Sequence, residues 1–270
     1  MIEMSQTVIY VNYFSDPDPA RRDEYLYCLS QNQRLDWVDK IYVFLESAQD
    51  LDDIKNHHKM EFIYHNSRME FGDVFTHAAH NLPDDTIMII LNLDIYLDDS
   101  SAWRHIDRDF FQVGHAKKSM VLKRTDLLDL NGATTVYTKS WKRGKFCDGW
   151  MFKTPLDPEF LQEDFDFCVG GAPCCDNVMM FLMSKHYHTY SWGAKYKTYH
   201  LDICRKSQAS LMVLNSKTDY RAQERKSEHA AIPATQDWQW YLTTGQRPLV
   251  FLLESKSVPF EHEQWKHEHN

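Results

Sequence analysis

Apolar residues recur along the chain in short unbroken runs, separated by stretches with helical spacing. TVIYVNYF (7–14), KIYVFLE (40–46), MEFIY (60–64) and TIMIILNL (86–93) are rich in β-branched and aromatic residues. Each reads as a strand, and the near-continuous runs suit strands covered on both faces. Between the first two, Tyr25, Cys28, Leu29, Asn32 and Leu35 predict a helix over 21–35, entered through the turn SDPDP (15–19). A second helix is predicted over 71–81, closed by Leu82-Pro83. Strands alternating with helices imply a mostly parallel, Rossmann-type α/β sheet with helices on both faces. In such sheets ligands sit beyond the carboxyl ends of the strands, which brings segments 12–18, 64–73 and 93–99 to one crevice.

The second half is less regular. Strands are expected at 119–124, 150–153, 188–192 and 198–201, and a helix over 176–186 opening on Asp176. GGAP (170–173) reads as a loop, residues 219–229 as a charged, solvated helix, and 250–253 as an edge strand or docking segment. No repeat and no Gly/Ser- or Pro-rich linker divides the chain. A single domain is expected: a unit over 1–205, with 206–270 a helical or irregular extension packed on it.

Composition narrows the classes. A hydrophobic content of 43% with 14% aromatics means a folded globular chain. A net charge of −9 without a basic run excludes a broad nucleic-acid footprint. No basic-then-apolar leader opens the sequence and no run approaches the ~18 apolar residues of a membrane span. A cytoplasmic protein, with a peripheral membrane association left open, is therefore expected. The six cysteines are no disulfide scaffold in a chain of 270 residues, and Cys174-Cys175 lacks the spacing of a zinc ribbon, so reduced thiols are expected.

There is no GxGxxG after the first strand and no GxxxxGK[ST], which disfavours a dinucleotide dehydrogenase or a P-loop enzyme. A diphosphate can instead be held through Mg²⁺ or Mn²⁺, which prefer carboxylate, water and phosphate oxygens. Asn92-Leu93-Asp94 supplies such oxygens at a strand end. In an extended chain residues 92 and 94 share one side, with Leu93 turned to the core. Asp94 is thus either a metal ligand or the polar end of a strand. Asp164-Phe165-Asp166 and Asp16-Pro17-Asp18 also match D-x-D, but the first follows no apolar run and the second is a proline turn. Asp98 and Asp99 read as a solvated turn. Asp176 reads as a general base or as a helix cap, and a carboxylate in a first helical turn stays ionised. His262, His267 and His269 form a polar tail.

Taken in order, LNLDIYLD (91–98), CDGWMFKTP (147–155), GGAPCCDN (170–177) and TYHLD (198–202) resemble the small GT-A-type glycosyltransferases of bacteria and of large DNA viruses that infect algae. The resemblance covers about residues 7–203. It implies a GT-A-like fold with a nucleotide-binding half over about 1–100 and an acceptor half over about 101–205. It also implies a UDP- or GDP-sugar donor, with UDP favoured, a glycan or glycoconjugate acceptor, and a Mn²⁺ or Mg²⁺ ion. On this resemblance Asp94 and His200 hold the metal, with Asn92 where an acid often stands. Asn12, Tyr13, Arg68, Asp73, Asn92 and Arg205 bind the nucleotide or donor. Asp148, Trp150 and Asn177 line the sugar or acceptor pocket, and Asp176 is the base of an inverting transfer. For a viral protein the location would be the host cytoplasm.

Two other classes compete. A sugar-nucleotidyltransferase shares a similar sheet but needs a glycine-rich, basic activating loop, and SDPDPARR has no glycine. A non-catalytic glycan-binding module would use an aromatic surface such as Trp103, Trp141, Trp192, Trp238 and Trp240.

Overall fold

The computed structural model describes residues 5–127, 135–136, 147–170, 175–191, 195–201, 203–204 and 250–252, with the side chains of Lys123, Arg124, Asp126, Asn177 and the strands at 135–136 and 250–252 set aside. Expectations for Trp141, Trp192, Trp238, Trp240, Cys174, Arg205, the helix at 219–229 and the terminal histidines lie outside the described residues.

β1 (Thr7–Tyr13) leads through Asp18, whose side chain accepts the Ala20 N–H as an N-cap, into α1 (Pro19–Arg34). Proline in the first turn suits that position, since its missing N–H would have no helical partner. β2 (Lys40–Leu45), β3 (Met60–Tyr64), α2 (Phe71–Asn81) and β4 (Ile87–Leu91) follow. Next come β5 (Ile95–Leu97), the short α3 (Ser101–Arg104), β6 (Lys118–Leu127), β7 (Thr135–Val136) and β8 (Cys147–Lys153). α4 (Cys175–His186), β9 (His188–Ser191), β10 (Thr198–Leu201) and β11 (Val250–Leu252) complete the described α-helices and strands. The strand expected at 250–253 thus lies at the sheet edge, parallel to β9.

The sheet runs β11-β9-β6-β8-β4-β1-β2-β3. β1, β2, β3 and β4 pair in parallel, as do β6 and β9, while β8 lies antiparallel between β4 and β6. This is the expected mixed, mostly parallel sheet in a single domain. Its strands read as unbroken apolar runs because alternate residues feed two cores. Tyr10, Ile90, Trp150 and Phe152 pack with Phe71, Phe75 and Met179 of α2 and α4. Ile9, Val11, Ile89 and Met151 pack on the other face with Tyr25 and Leu29 of α1. Gly149 lies where β4, β8 and β6 crowd together: a Cβ there would stand 2.8 Å from Leu91 Cδ2.

β10 leaves the main path, pairing antiparallel with β5 and in parallel with the end of β6. Its register sets His200 opposite Ile95, the residue after Asp94. Among the described residues no helix is long and apolar enough to cross a membrane.

Candidate functional site

Asp94 and His200, 106 residues apart in sequence, meet at the carboxyl end of the sheet. His200 Nε2 lies 3.2 Å from Asp94 Oδ2, and Leu201 N–H donates to the Asp94 carbonyl at 2.9 Å. The same Asp94 oxygen accepts from the Arg21 guanidinium in a short contact. Arg21 is only 2% exposed. Its NH1 also donates to Glu24 Oε2 at 2.7 Å and to the Leu201 carbonyl at 2.6 Å, and the guanidinium lies over the Tyr25 ring at 4.6 Å. Burial alone would raise the Glu24 carboxyl, but hydrogen bonds from Arg21 and Cys204 hold it below the ordinary range. Arg21 and Glu24 are charged residues on the core-facing side of an otherwise uncharged helical stripe with Tyr25, Cys28, Leu29 and Asn32. That interruption is the sequence signal that could have found them.

The strand does not run on through residue 94. Leu93 and Asp94 form a turn, closed by Ile95 N–H donating to the Asn92 carbonyl at 3.1 Å. Contrary to the expectation from the sequence, Asn92 and Asp94 therefore do not share one side of an extended chain. Asn92 instead joins β4 to β8: its Nδ2 donates to Asp148 Oδ1 at 2.9 Å, and its N–H to the Asp148 carbonyl at 3.0 Å. The Asn92 Oδ1 is buried against Gly170, where a Cβ would stand 2.7 Å away. With φ of +67° as well, this position needs glycine. α4 runs back along the sheet toward the start of β9, so Asp176 in its first turn lies toward the carboxyl edge. Asn177 follows it in the same turn.

The first-half residues divide. Asn12 is 5% exposed and uses both ends of its amide, donating to Glu46 Oε1 at 2.7 Å and accepting from Met69 N–H at 2.8 Å. Tyr13 is fully buried, its hydroxyl donating to Asp53. Both are buried, with their side-chain polar groups bonded within the protein. Asp73 accepts from Glu70 N–H at 2.8 Å as part of the α2 capping box and pairs with His65. The Arg68 guanidinium lies 5.5 Å from the Phe14 ring, just past the end of β1. Its Nε has no partner among the described residues. Trp150 is fully buried edge-on to Phe71, so it is core and cannot line a sugar pocket. Trp103 is likewise enclosed, stacked on Trp37, and donates to Asp98, which is a half-buried acid whose carboxyl burial pushes up. Both competing D-x-D segments are local turns: Asp18 N–H donates to Asp16, and Asp166 N–H to Asp164.

The donor set suits a hard cation. Neighbouring ligands on an octahedron of ~2.1 Å bonds stand about 3 Å apart, and Asp94 Oδ2 and His200 Nε2 are separated by 3.2 Å. The pair fits two cis positions, with Arg21 as the outer partner that orients the carboxylate. One group of three potential ligands exists elsewhere among the described residues: Asp157, Glu159 and His186, with ligand atoms within 4.8 Å of one another. It lies at the opposite, amino edge of the parallel strands. There Asp157 is held by Lys117 and by backbone N–H groups, and His186 by Glu163.

No protein-family model and no curated protein matches the chain in sequence. Solved structures resemble it in fold. A mannosyltransferase of Pyrobaculum calidifontis, in complex with GDP-mannose and Mn²⁺, is 8% identical with a TM-score of 0.48, over 96% of this chain and 67% of that one. A 4-diphosphocytidyl-2C-methyl-D-erythritol synthase of Anaerococcus prevotii is 8% identical with a TM-score of 0.42, over 83% of this chain and 96% of that one.

Proposed function

We propose that the chain is a metal-dependent glycosyltransferase that moves a sugar from a nucleoside-diphosphate sugar, a UDP-sugar foremost, to a hydroxyl of a glycan or glycoconjugate. The observation that carries this reading is the Asp94–His200 pair, 3.2 Å apart at the carboxyl end of a Rossmann-type sheet. The order of the four sequence segments supports it independently.

In this reading Asp94 and His200 would hold Mn²⁺ or Mg²⁺, and Arg21 keeps the carboxylate aimed. The ion, when bound, supplies Lewis-acid stabilisation to the charge that develops on the leaving diphosphate. Arg68 reaches the diphosphate or the base from the β3–α2 segment, and Arg205 would approach it from beyond His200. Asp148 and Asn92 brace one another beside the sugar, with Asn177 near the acceptor. Asp176 accepts the proton of the attacking hydroxyl in an inverting transfer.

A nucleotidyltransferase reading fares worse on one observation. At the β1–α1 connection, where a triphosphate-binding loop would offer cations and open N–H groups, the chain carries Asp16 and Asp18, whose side chains take the N–H groups of Asp18 and Ala20. The test is a panel of UDP-, GDP- and CMP-sugars with Mn²⁺, following release of nucleoside phosphate. Donor hydrolysis or transfer that Asp94→Ala abolishes is the expected result. Glycan affinity without metal-dependent nucleotide binding would replace the enzyme reading with that of a binding module.

A further inference from the structure

The residue that completes the site, His200, comes from a strand whose far end is held by charge as much as by packing. Glu24 lies one helical turn past Arg21 on α1, and both are buried. Arg21 donates to Asp94 and to the Leu201 carbonyl, on either side of the Asp94–His200 contact. Glu24 Oε1 accepts the N–H groups of Ile203 at 2.7 Å and Cys204 at 3.0 Å, and its Oε2 accepts from Arg21 and from the Cys204 thiol at 3.2 Å. One carboxylate thus gathers two peptide N–H groups, a thiol and a guanidinium.

We propose that Glu24 is a positioning residue: it latches the chain just beyond β10 onto α1 and so fixes His200 and Asp94 at ligand spacing. This rests on the functional reading above, because the pair it sets is the proposed metal site. Glu24's hydrogen bonds go to Arg21, Ile203 and Cys204. Its effect must pass through Arg21, which bridges it to Asp94, and through the backbone at 203–204, three residues past His200.

The physical argument is one of alternatives. The β10–β5 ladder spans three residue pairs, Thr198 to His200, and stops there. Beyond it the backbone N–H groups of Ile203 and Cys204, both half-buried, find their acceptor in Glu24, and a donor shielded from water is costly to leave without one. The parallel pairing with β6 runs one residue further, to Leu201; past that point Glu24 registers the chain against α1. Without the carboxylate, Arg21 also loses the partner that counters its pull on Asp94.

The test titrates full-length protein with Mn²⁺ alone, reading free Mn²⁺ by electron paramagnetic resonance, in wild type, Glu24→Ala and Glu24→Gln. Glutamine can still accept an N–H but turns an NH₂ toward Arg21. Support of an outer group for a ligand is typically worth about 10–100-fold in metal affinity. Both variants should weaken Mn²⁺ binding by about tenfold or more, with the maximal rate at saturating Mn²⁺ little changed. Hydrogen exchange should accelerate in the peptide covering 198–204. Equal Mn²⁺ affinity in wild type and in a folded variant would overturn the inference, even with a lowered melting temperature. A wild type that binds no Mn²⁺, either alone or with UDP present, would sink the functional reading instead. In that case the latch stands or falls on exchange: unaltered protection of 198–204 in Glu24→Gln refutes it.

Discussion

Asp94→Asn separates chemistry from stability at the centre of the site. The substitution keeps the shape of the side chain and removes its charge. In the wild type Asp94 Oδ2 accepts from Arg21 and lies 3.2 Å from His200 Nε2, and its side chain is 18% exposed. Breaking a buried ion pair typically costs about 3–5 kcal/mol when the remaining charge is stranded. Here Arg21 keeps Glu24 and the Leu201 carbonyl, so the loss is closer to one charge-assisted hydrogen bond, about 1.5–3 kcal/mol. A protein stable by roughly 5 kcal/mol that loses about 2 is still some 99% folded. Unfolding therefore cannot account for lost activity. Losing a ligand should cost at least the ~100-fold upper range for losing a ligand's supporting group. Urea denaturation at 25 °C and nucleoside-diphosphate release under the same buffer check both numbers. A rate within about tenfold of wild type would refute the ligand assignment, given that value. A stability loss above about 5 kcal/mol would show Asp94 to be chiefly a structural counter-charge.

Asp176→Asn should lower the transfer rate while leaving Mn²⁺ affinity unchanged, as measured by rate and by metal titration; a joint loss would move Asp176 from base to ligand. Phe75→Ala should destabilise the fold by about 3–5 kcal/mol in denaturant, because Phe75 is enclosed by Phe71, Phe152, Phe160 and Phe165; a loss under 1 kcal/mol would mean that this cluster collapses around the gap. The Glu24 carboxyl titrates below its ordinary value of 4.5 because hydrogen bonds from Arg21 and Cys204 outweigh its burial. Its contribution to stability is then complete above that value and fades as pH falls through the lower, folded-state value. The gap in melting temperature between wild type and Glu24→Gln should shrink as pH falls below 4.5, and a gap that persists unchanged into acid would contradict the assignment.

Local pattern alone determined much of this fold. The strand at Met60–Tyr64 and the helix at Phe71–Asn81 stand where the spacing predicts them. The apolar runs of β1 and β4 are explained by burial on both faces. Those features depend on neighbours in sequence, so periodicity and caps suffice to read them. β5 at Ile95–Leu97 was not legible, because its ladder partner is β10, about a hundred residues away. The same distance hid how the site is wired. A carboxylate at residue 94 and a histidine at residue 200 were visible as candidates through a family resemblance, but their meeting depends on the register of β10 against β5. Asn92 looked like a partner for Asp94 until a turn at 93–94 sent it to Asp148. Arg21 and Glu24 were passed over because charge on a helix normally means solvent, and only the packing of α1 against β10 puts them inside. Burial then reverses the meaning of the residue: the same guanidinium that would be an idle surface charge becomes the bond that aims Asp94. Sequence determined which elements form and where their polar ends lie; tertiary register decided which of those ends face one another, since a long-range contact leaves no period in the chain.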